Sequence, residues 1–144
     1  EAVNSMSDSP VLFTQDGPIA WLSLNRPDMG NCLDFGLVRA LLDAAIRCDA
    51  DPSIRCVVLT GSGRLFCAGG DIGVFAASGE RTPALLSELA GTLHMAVSRL
   101  ARMAKPLVVV VNGPAAGGGL SLALLGDVVL ARDQARRRAC HVHG

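Results

Sequence analysis

The chain has 144 residues, thirteen Lys and Arg against thirteen Asp and Glu, and a half-hydrophobic composition carried by aliphatic rather than aromatic side chains. Balanced charge excludes the basic footprint of a nucleic-acid or anionic-membrane binder and leaves a small molecule or another subunit as the expected partner. Five cysteines without CxxC spacing argue against a disulfide framework or zinc ribbon, and for a reducing, cytoplasmic setting.

Residues 1–5 precede Met6 and read as a vector-derived scar, and no secretion signal opens the chain. Residues 11–15 and 19–24 are β-prone runs split by Asp16-Gly17-Pro18, which predicts a hairpin. A loop over residues 25–31 follows. From Asp34, an N-cap by its position, Leu37, Val38, Leu41, Leu42, Ala45 and Ile46 recur at helical spacing until Asp51-Pro52 ends the pattern. Residues 56–60 form a continuous apolar run before Gly61-Ser62-Gly63, the profile of a strand buried on both faces. Residues 83–103 place Leu85, Leu86, Leu89, Leu93, Ala96, Val97 and Leu100 on one helical face, stopped by Lys105-Pro106. His94 falls within this helix as a core-edge or partly exposed residue. Residues 107–111 are a second buried strand, 120–125 a helix and 128–131 a last strand. Strands alternating with helices imply an α/β fold with parallel pairing. The uncharged stretch 106–126 has the length of a membrane span, but Asn112-Gly113-Pro114 and Gly117-Gly118-Gly119 would break a helix at mid-bilayer.

Two glycine-rich turns, each directly after a buried strand, carry the chemistry: Phe66-Cys67-Ala68-Gly69-Gly70-Asp71-Ile72 and Asn112-Gly113-Pro114-Ala115-Ala116-Gly117-Gly118-Gly119. Loops at strand ends are where α/β proteins bind ligands. A missing side chain lets a backbone N–H approach a ligand oxygen, and a helix N-terminus favours negative charge. Two such N–H groups make an oxyanion hole; the plainer reading is that the glycines serve tight turns and close packing. A P-loop is excluded because Gly119-Leu120 stand where Lys and Ser or Thr are needed. A dinucleotide-binding Rossmann fingerprint at Gly61-Ser62-Gly63 is a competing reading, although Phe66 occupies its third glycine position.

Leu24-Asn25-Arg26-Pro27 with Asn31, then the two glycine-rich turns, resemble in order and spacing the enoyl-CoA hydratase/isomerase (crotonase) superfamily. The resemblance runs from about Val11 to Asp133 and implies a spiral of ββα repeats, assembled as trimers or trimer pairs. It makes residues 6–133 an acyl-CoA-binding core, incomplete at its C-terminus, and residues 134–144 an atypical basic tail. By the resemblance, Gly70 and Gly118 donate their N–H groups to a thioester carbonyl oxygen and stabilise the enolate. Gly70, Asp71, Ile72 and Gly73 line the coenzyme A site with Ala68 and Gly117, and the loop bearing Arg26 covers the pantetheine arm. Asp71 also reads as a helix N-cap. Coenzyme A enters as part of the substrate, with no tightly bound cofactor and no metal.

The pattern breaks at Ser121, where family hydratases place a Glu three positions after the middle glycine; an unassisted hydroxyl is a poor base at neutral pH. Isomerase-like members use a carboxylate further along the chain, but none follows Asp133. The resemblance stops near Arg136, which reads as a truncated or frameshifted product. The expectation is therefore enoyl-CoA hydratase or isomerase chemistry, with a non-catalytic acyl-CoA-binding or assembly subunit as the alternative. Cys140 and His141, as a nucleophile, base or metal pair, have no third group to orient them. Cys67 reads as a small packing residue. Leu and Val faces left uncovered predict oligomerisation or poor solubility.

Overall fold

The computed structural model describes residues 8–132, excepting the side chains of Ile72 and Val74. The expected hairpin forms from β1 (Val11–Asp16) and β2 (Ile19–Leu24), paired antiparallel with Phe13 opposite Leu22. Gly17, at φ +57°, makes its tight turn. A single 3-10 turn, Pro27–Met29, follows and ends at Gly30 in the left-handed region.

Helix α1 (Phe35–Ala50) starts where the sequence places its cap: Asp34 is extended and its Oδ1 accepts from Leu37 N at 2.8 Å. Its apolar stripe, including Leu37, Val38, Leu41, Leu42, Ala45 and Cys48, is buried, whereas Ile46 faces outward. Strand β3 (Cys56–Gly61) is followed by a short helix α2 (Ile72–Ser78), a 3-10 turn Gly79–Arg81 and the long helix α3 (Thr82–Arg102). Leu89, Thr92, Ala96 and Leu100 turn the buried side of α3 toward α1. His94 is exposed on α3, in line with a position at the edge of the core. Strand β4 (Leu107–Val111), helix α4 (Gly118–Ala123) and strand β5 (Val128–Ala131) complete the described chain. The sequence pattern begins α4 two residues late because no apolar period marks its glycine start.

The five strands lie in sequence order β1-β2-β3-β4-β5, every pair after the hairpin being parallel. One face presents Ala20, Leu22 and Leu24, then Val57 and Leu59, then Leu107, Val109 and Val111, all buried in the main core with the inward residues of α1 and α3. The strand order does not reverse among the described residues, so they hold no topological switch point of the kind dinucleotide-binding sheets use. No helix of the described chain begins at Gly61-Ser62-Gly63 either, and the Rossmann reading loses its structural context. No helix is long and apolar enough to cross a membrane among the described residues.

Candidate functional site

The strand ends of β3 and β4 bring the two glycine-rich turns into register. Phe66 N donates to Pro114 O at 3.1 Å, Ala116 N donates to Cys67 O at 3.0 Å, and Cys67 and Ala115 form a parallel bridge. A third segment joins on the other side: Leu33 pairs in parallel with Gly70, donating to Gly69 O at 2.7 Å, while Ala68 N donates to Gly30 O at 2.8 Å. Residues from three distant parts of the sequence thus form one small backbone layer, with Gly70 and Gly118 at its surface.

The glycines divide by what a side chain would meet. A Cβ at Gly61 would lie 2.5 Å from Phe66 O, at Gly113 1.8 Å from Arg64 O, and at Gly119 2.4 Å from Cys67 O, so backbone approaches backbone at all three. Gly69 and Gly117 have φ +94° and +54°, a region closed to most side chains. Gly70 and Gly118 differ from both groups. Their added Cβ atoms would meet only side chains, the Phe75 ring at 3.2 Å and Leu33 Cδ1 at 2.8 Å. Neither of these two N–H groups donates a hydrogen bond to a described residue. Gly70 is exposed and Gly118 half-buried, so both orphan donors remain open to an incoming acceptor.

Two asparagines hold the layer. Asn31 is fully buried at φ 54°; its Oδ1 accepts from Arg26 N at 2.7 Å, and its Nδ2 donates to Ser62 O at 2.9 Å, Leu65 O at 3.0 Å and Phe66 O at 3.2 Å. Asn112 accepts from Gly61 N at 3.1 Å and donates to Gly63 O at 3.0 Å. The sequence signalled both only as members of motifs, since their roles depend on loops far away in the chain.

Arg26 flanks a cleft of about 320 Å³ lined also by Asp8, Asn25, Pro27, Asp28 and Met29, and its Nε is buried without a hydrogen-bond partner among the described residues. Asp71, Gly73, Ala68 and Gly117 all lie within or next to the backbone layer; Asp71 N donates to Leu33 O at 3.4 Å. Ser121, on α4, is exposed. Cys67 is fully buried and burial pushes its thiol up to about 11, the behaviour of a packing residue rather than a nucleophile. Cys140, His141, His143 and the tail lie outside the described residues. A larger groove of about 460 Å³ between α1 and α3, lined by Leu42, Ile46, His94 and Met95 among others, contains none of the glycine-turn residues.

A model of the family "Enoyl-CoA hydratase/isomerase" matches residues 14–141. The chain is 36% identical over 143 residues to a probable enoyl-CoA hydratase of Mycobacterium leprae, covering 96% of this chain and 49% of the relative. It is 38% identical over 122 residues to the 1,2-epoxyphenylacetyl-CoA isomerase of Escherichia coli, covering 80% and 44%. Among solved structures, a Pseudomonas aeruginosa protein superposes with TM-score 0.80 at 41% identity, over 88% of this chain and 54% of the other. An enoyl-CoA hydratase from a Polaromonas species gives TM-score 0.81 at 34% identity, over 87% and 49%. The chain spans about half the length of the curated relatives it matches. The α/β architecture is that of the crotonase fold over the part present, incomplete relative to those proteins. Since the family model matches most of the sequence and the fold is shared as well, the chain belongs to the enoyl-CoA hydratase/isomerase family.

Proposed function

We propose that the chain binds an acyl-CoA thioester and stabilises its enolate through the N–H groups of Gly70 and Gly118, in the service of enoyl-CoA hydratase or isomerase chemistry. The observation that carries the reading is the pair of open N–H donors where the two glycine turns meet. Charge that develops on the carbonyl oxygen as a proton moves at the α-carbon is stabilised by donors already held in position, because little reorganisation is needed at the moment of reaction. Family membership supports the substrate class, and the hydratase and isomerase names of the relatives support the reaction class.

In this reading the loop of Arg26 covers the pantetheine arm, and Arg26, whose buried Nε has no hydrogen-bond partner among the described residues, offers positive charge to the coenzyme. Ala68, Gly70, Asp71, Ile72, Gly73 and Gly117 supply the wall along which the thioester lies. Coenzyme A is part of the substrate, and the active assembly is a homotrimer or a pair of trimers.

A second reading, a non-catalytic acyl-CoA-binding or assembly subunit, is favoured by Ser121: it is exposed on α4, and the family resemblance puts the hydratase glutamate at its position. Titration with acetoacetyl-CoA tests the first reading, since a working hole produces a saturable enolate absorption band. A folded sample that gives no band contradicts the enolate reading, and one that binds no acetoacetyl-CoA contradicts acyl-CoA binding as well. Turnover of a short enoyl-CoA then supports the catalytic one, and saturable binding without turnover the other.

A further inference from the structure

Helix α3 carries a stripe that its packing against α1 does not use. Glu88, Gly91, Met95, Ser98 and Arg102 follow one another at intervals of three and four, so they line one side of the helix over about 21 Å. Ser98 is half-buried and the other four are exposed, Met95 by 51%. Met95, Ser98 and Arg102 also border the groove of about 460 Å³ between α1 and α3, whose apolar wall includes Leu42 and the exposed Ile46.

Two features of the stripe have no use within the described chain. Gly91 sits inside a long helix, where glycine costs stability relative to alanine, and a Cβ there would meet no atom within 4 Å. Neither packing nor backbone conformation therefore requires it. Glu88 and Arg102 are opposite charges without an ion-pair partner among the described residues, and about 21 Å of helix keeps them from each other.

The spacing supplies a partner for both. Glu88 and Arg102 each stand two heptad-spaced turns from Met95, one on either side. A second copy of α3, laid antiparallel about a two-fold axis at Met95, meets the stripe with its own: Met95 faces Met95, and Glu88 faces the other copy's Arg102 at both ends. Gly91 then lies opposite Arg99 and leaves room for its stem. Such a contact is isologous, so one charge complementarity is satisfied twice. We propose that this face of α3 is a self-association surface, through which two copies of the chain pair antiparallel about Met95, with each Met95 seated at the mouth of the groove beside Ile46. The contact uses none of the glycine-turn residues and is independent of the acyl-CoA reading.

The test is disulfide cross-linking by diamide of Met95→Cys, in a chain that also carries Cys140→Ser, Val128→Thr and Leu130→Lys. The first of these removes a competing thiol, and the last two weaken association through the apolar strand β5. Met95→Cys should give a covalent dimer that the same chain without it does not. Ala84→Cys, exposed on the same helix, should not, because the two introduced thiols stand about 33 Å apart in this register. Glu88→Arg sets like charges against each other at both ends and should slow cross-linking through Met95→Cys by roughly 5- to 30-fold, and Glu88→Arg with Arg102→Glu should restore it. Circular dichroism melts establish that each variant is folded. The proposal is overturned if folded Met95→Cys forms no dimer beyond background, or if Ala84→Cys cross-links as readily. It is overturned as well if Glu88→Arg leaves the rate unchanged, or if the double reversal fails to restore it.

Discussion

Asn31 shows how much of the site rests on single side chains. Its amide joins Arg26, Ser62, Leu65 and Phe66 from a left-handed backbone conformation that Asn tolerates better than other non-glycine residues. Asn31→Gly keeps the conformation and loses the bonds, at an expected cost of about 2 kcal/mol. Asn31→Ala adds left-handed strain and should cost about 1 kcal/mol more. Urea unfolding of the two variants reads both terms, and a parent-like midpoint for either would contradict the role assigned to Asn31. Buried thiols make a second residue-level prediction. Burial raises Cys48 and Cys67 from 9.0 to about 11, so above pH 9 the unfolded chain has lost protons that the folded chain retains. Their contribution to stability is therefore full below pH 9 and declines as pH rises toward 11, with a limiting slope of about 1.4 kcal/mol per pH unit for each thiol. Urea midpoints measured in reductant should be lower at pH 10 than at pH 8; equal midpoints would contradict the burial account.

At the scale of elements, α1 is held at both ends by groups of different kinds. Asp34 caps its start, and at its end the Lys105 ammonium donates to the carbonyls of Cys48 and Asp51, the latter at 2.6 Å. A cation at a helix C-terminus satisfies orphan carbonyls and complements the dipole. Lys105→Met keeps much of the stem and should destabilise by about 1–3 kcal/mol, measured as a lower thermal midpoint. The exposed pair Arg99–Asp49, at 3.1 Å, connects α3 to α1 with far less at stake. Periodicity made α1 and α3 legible in the sequence because each buries one apolar stripe, and the continuous apolar runs marked β3 and β4. For helix α2 the sequence marks only a start, at Asp71, because seven residues interrupted by Gly73 carry no full apolar period. The bridge from Leu33 to Gly70 and the approach of Cys32 to Asp71 were illegible, because they are pairings between loops that no local pattern encodes. The glycine turns themselves stood out, but only their contacts separate Gly113 and Gly119, needed for close packing, from Gly70 and Gly118, whose N–H groups stay open.

For the whole molecule, helices cover one face of the sheet, and the other is open at Trp21 and along β5, with Val58 between them only 7% exposed. Opposite the helices lie Trp21, Val58, Val108 and Val128 in one row and Val110 beside Leu130 in the next. Trp21, Val128 and Leu130 are 41%, 52% and 55% exposed, and Val129, on the other face of β5, is 39% exposed. A parallel strand open on both faces is unusual, since such sheets are ordinarily covered on each side. A contiguous apolar patch of this kind drives association. Analytical ultracentrifugation of the chain should therefore show oligomers or aggregates, shifted toward monomer by Val128→Thr with Leu130→Lys; a monodisperse monomer of the parent would contradict this.

The central claim is that two open N–H groups, rather than the absence of side chains, give this molecule its chemistry. Acetoacetyl-CoA titration of Gly70→Ala and Gly118→Pro beside the parent tests it most directly. Alanine keeps the N–H and needs only the Phe75 ring to give way, whereas proline at the first position of α4, where helices tolerate it, removes the donor and needs the Leu33 side chain to give way. The account predicts that Gly70→Ala retains the saturable enolate band and that Gly118→Pro weakens it by about 10²- to 10³-fold. An undiminished band in Gly118→Pro would contradict the account, as would loss of the band in a folded Gly70→Ala.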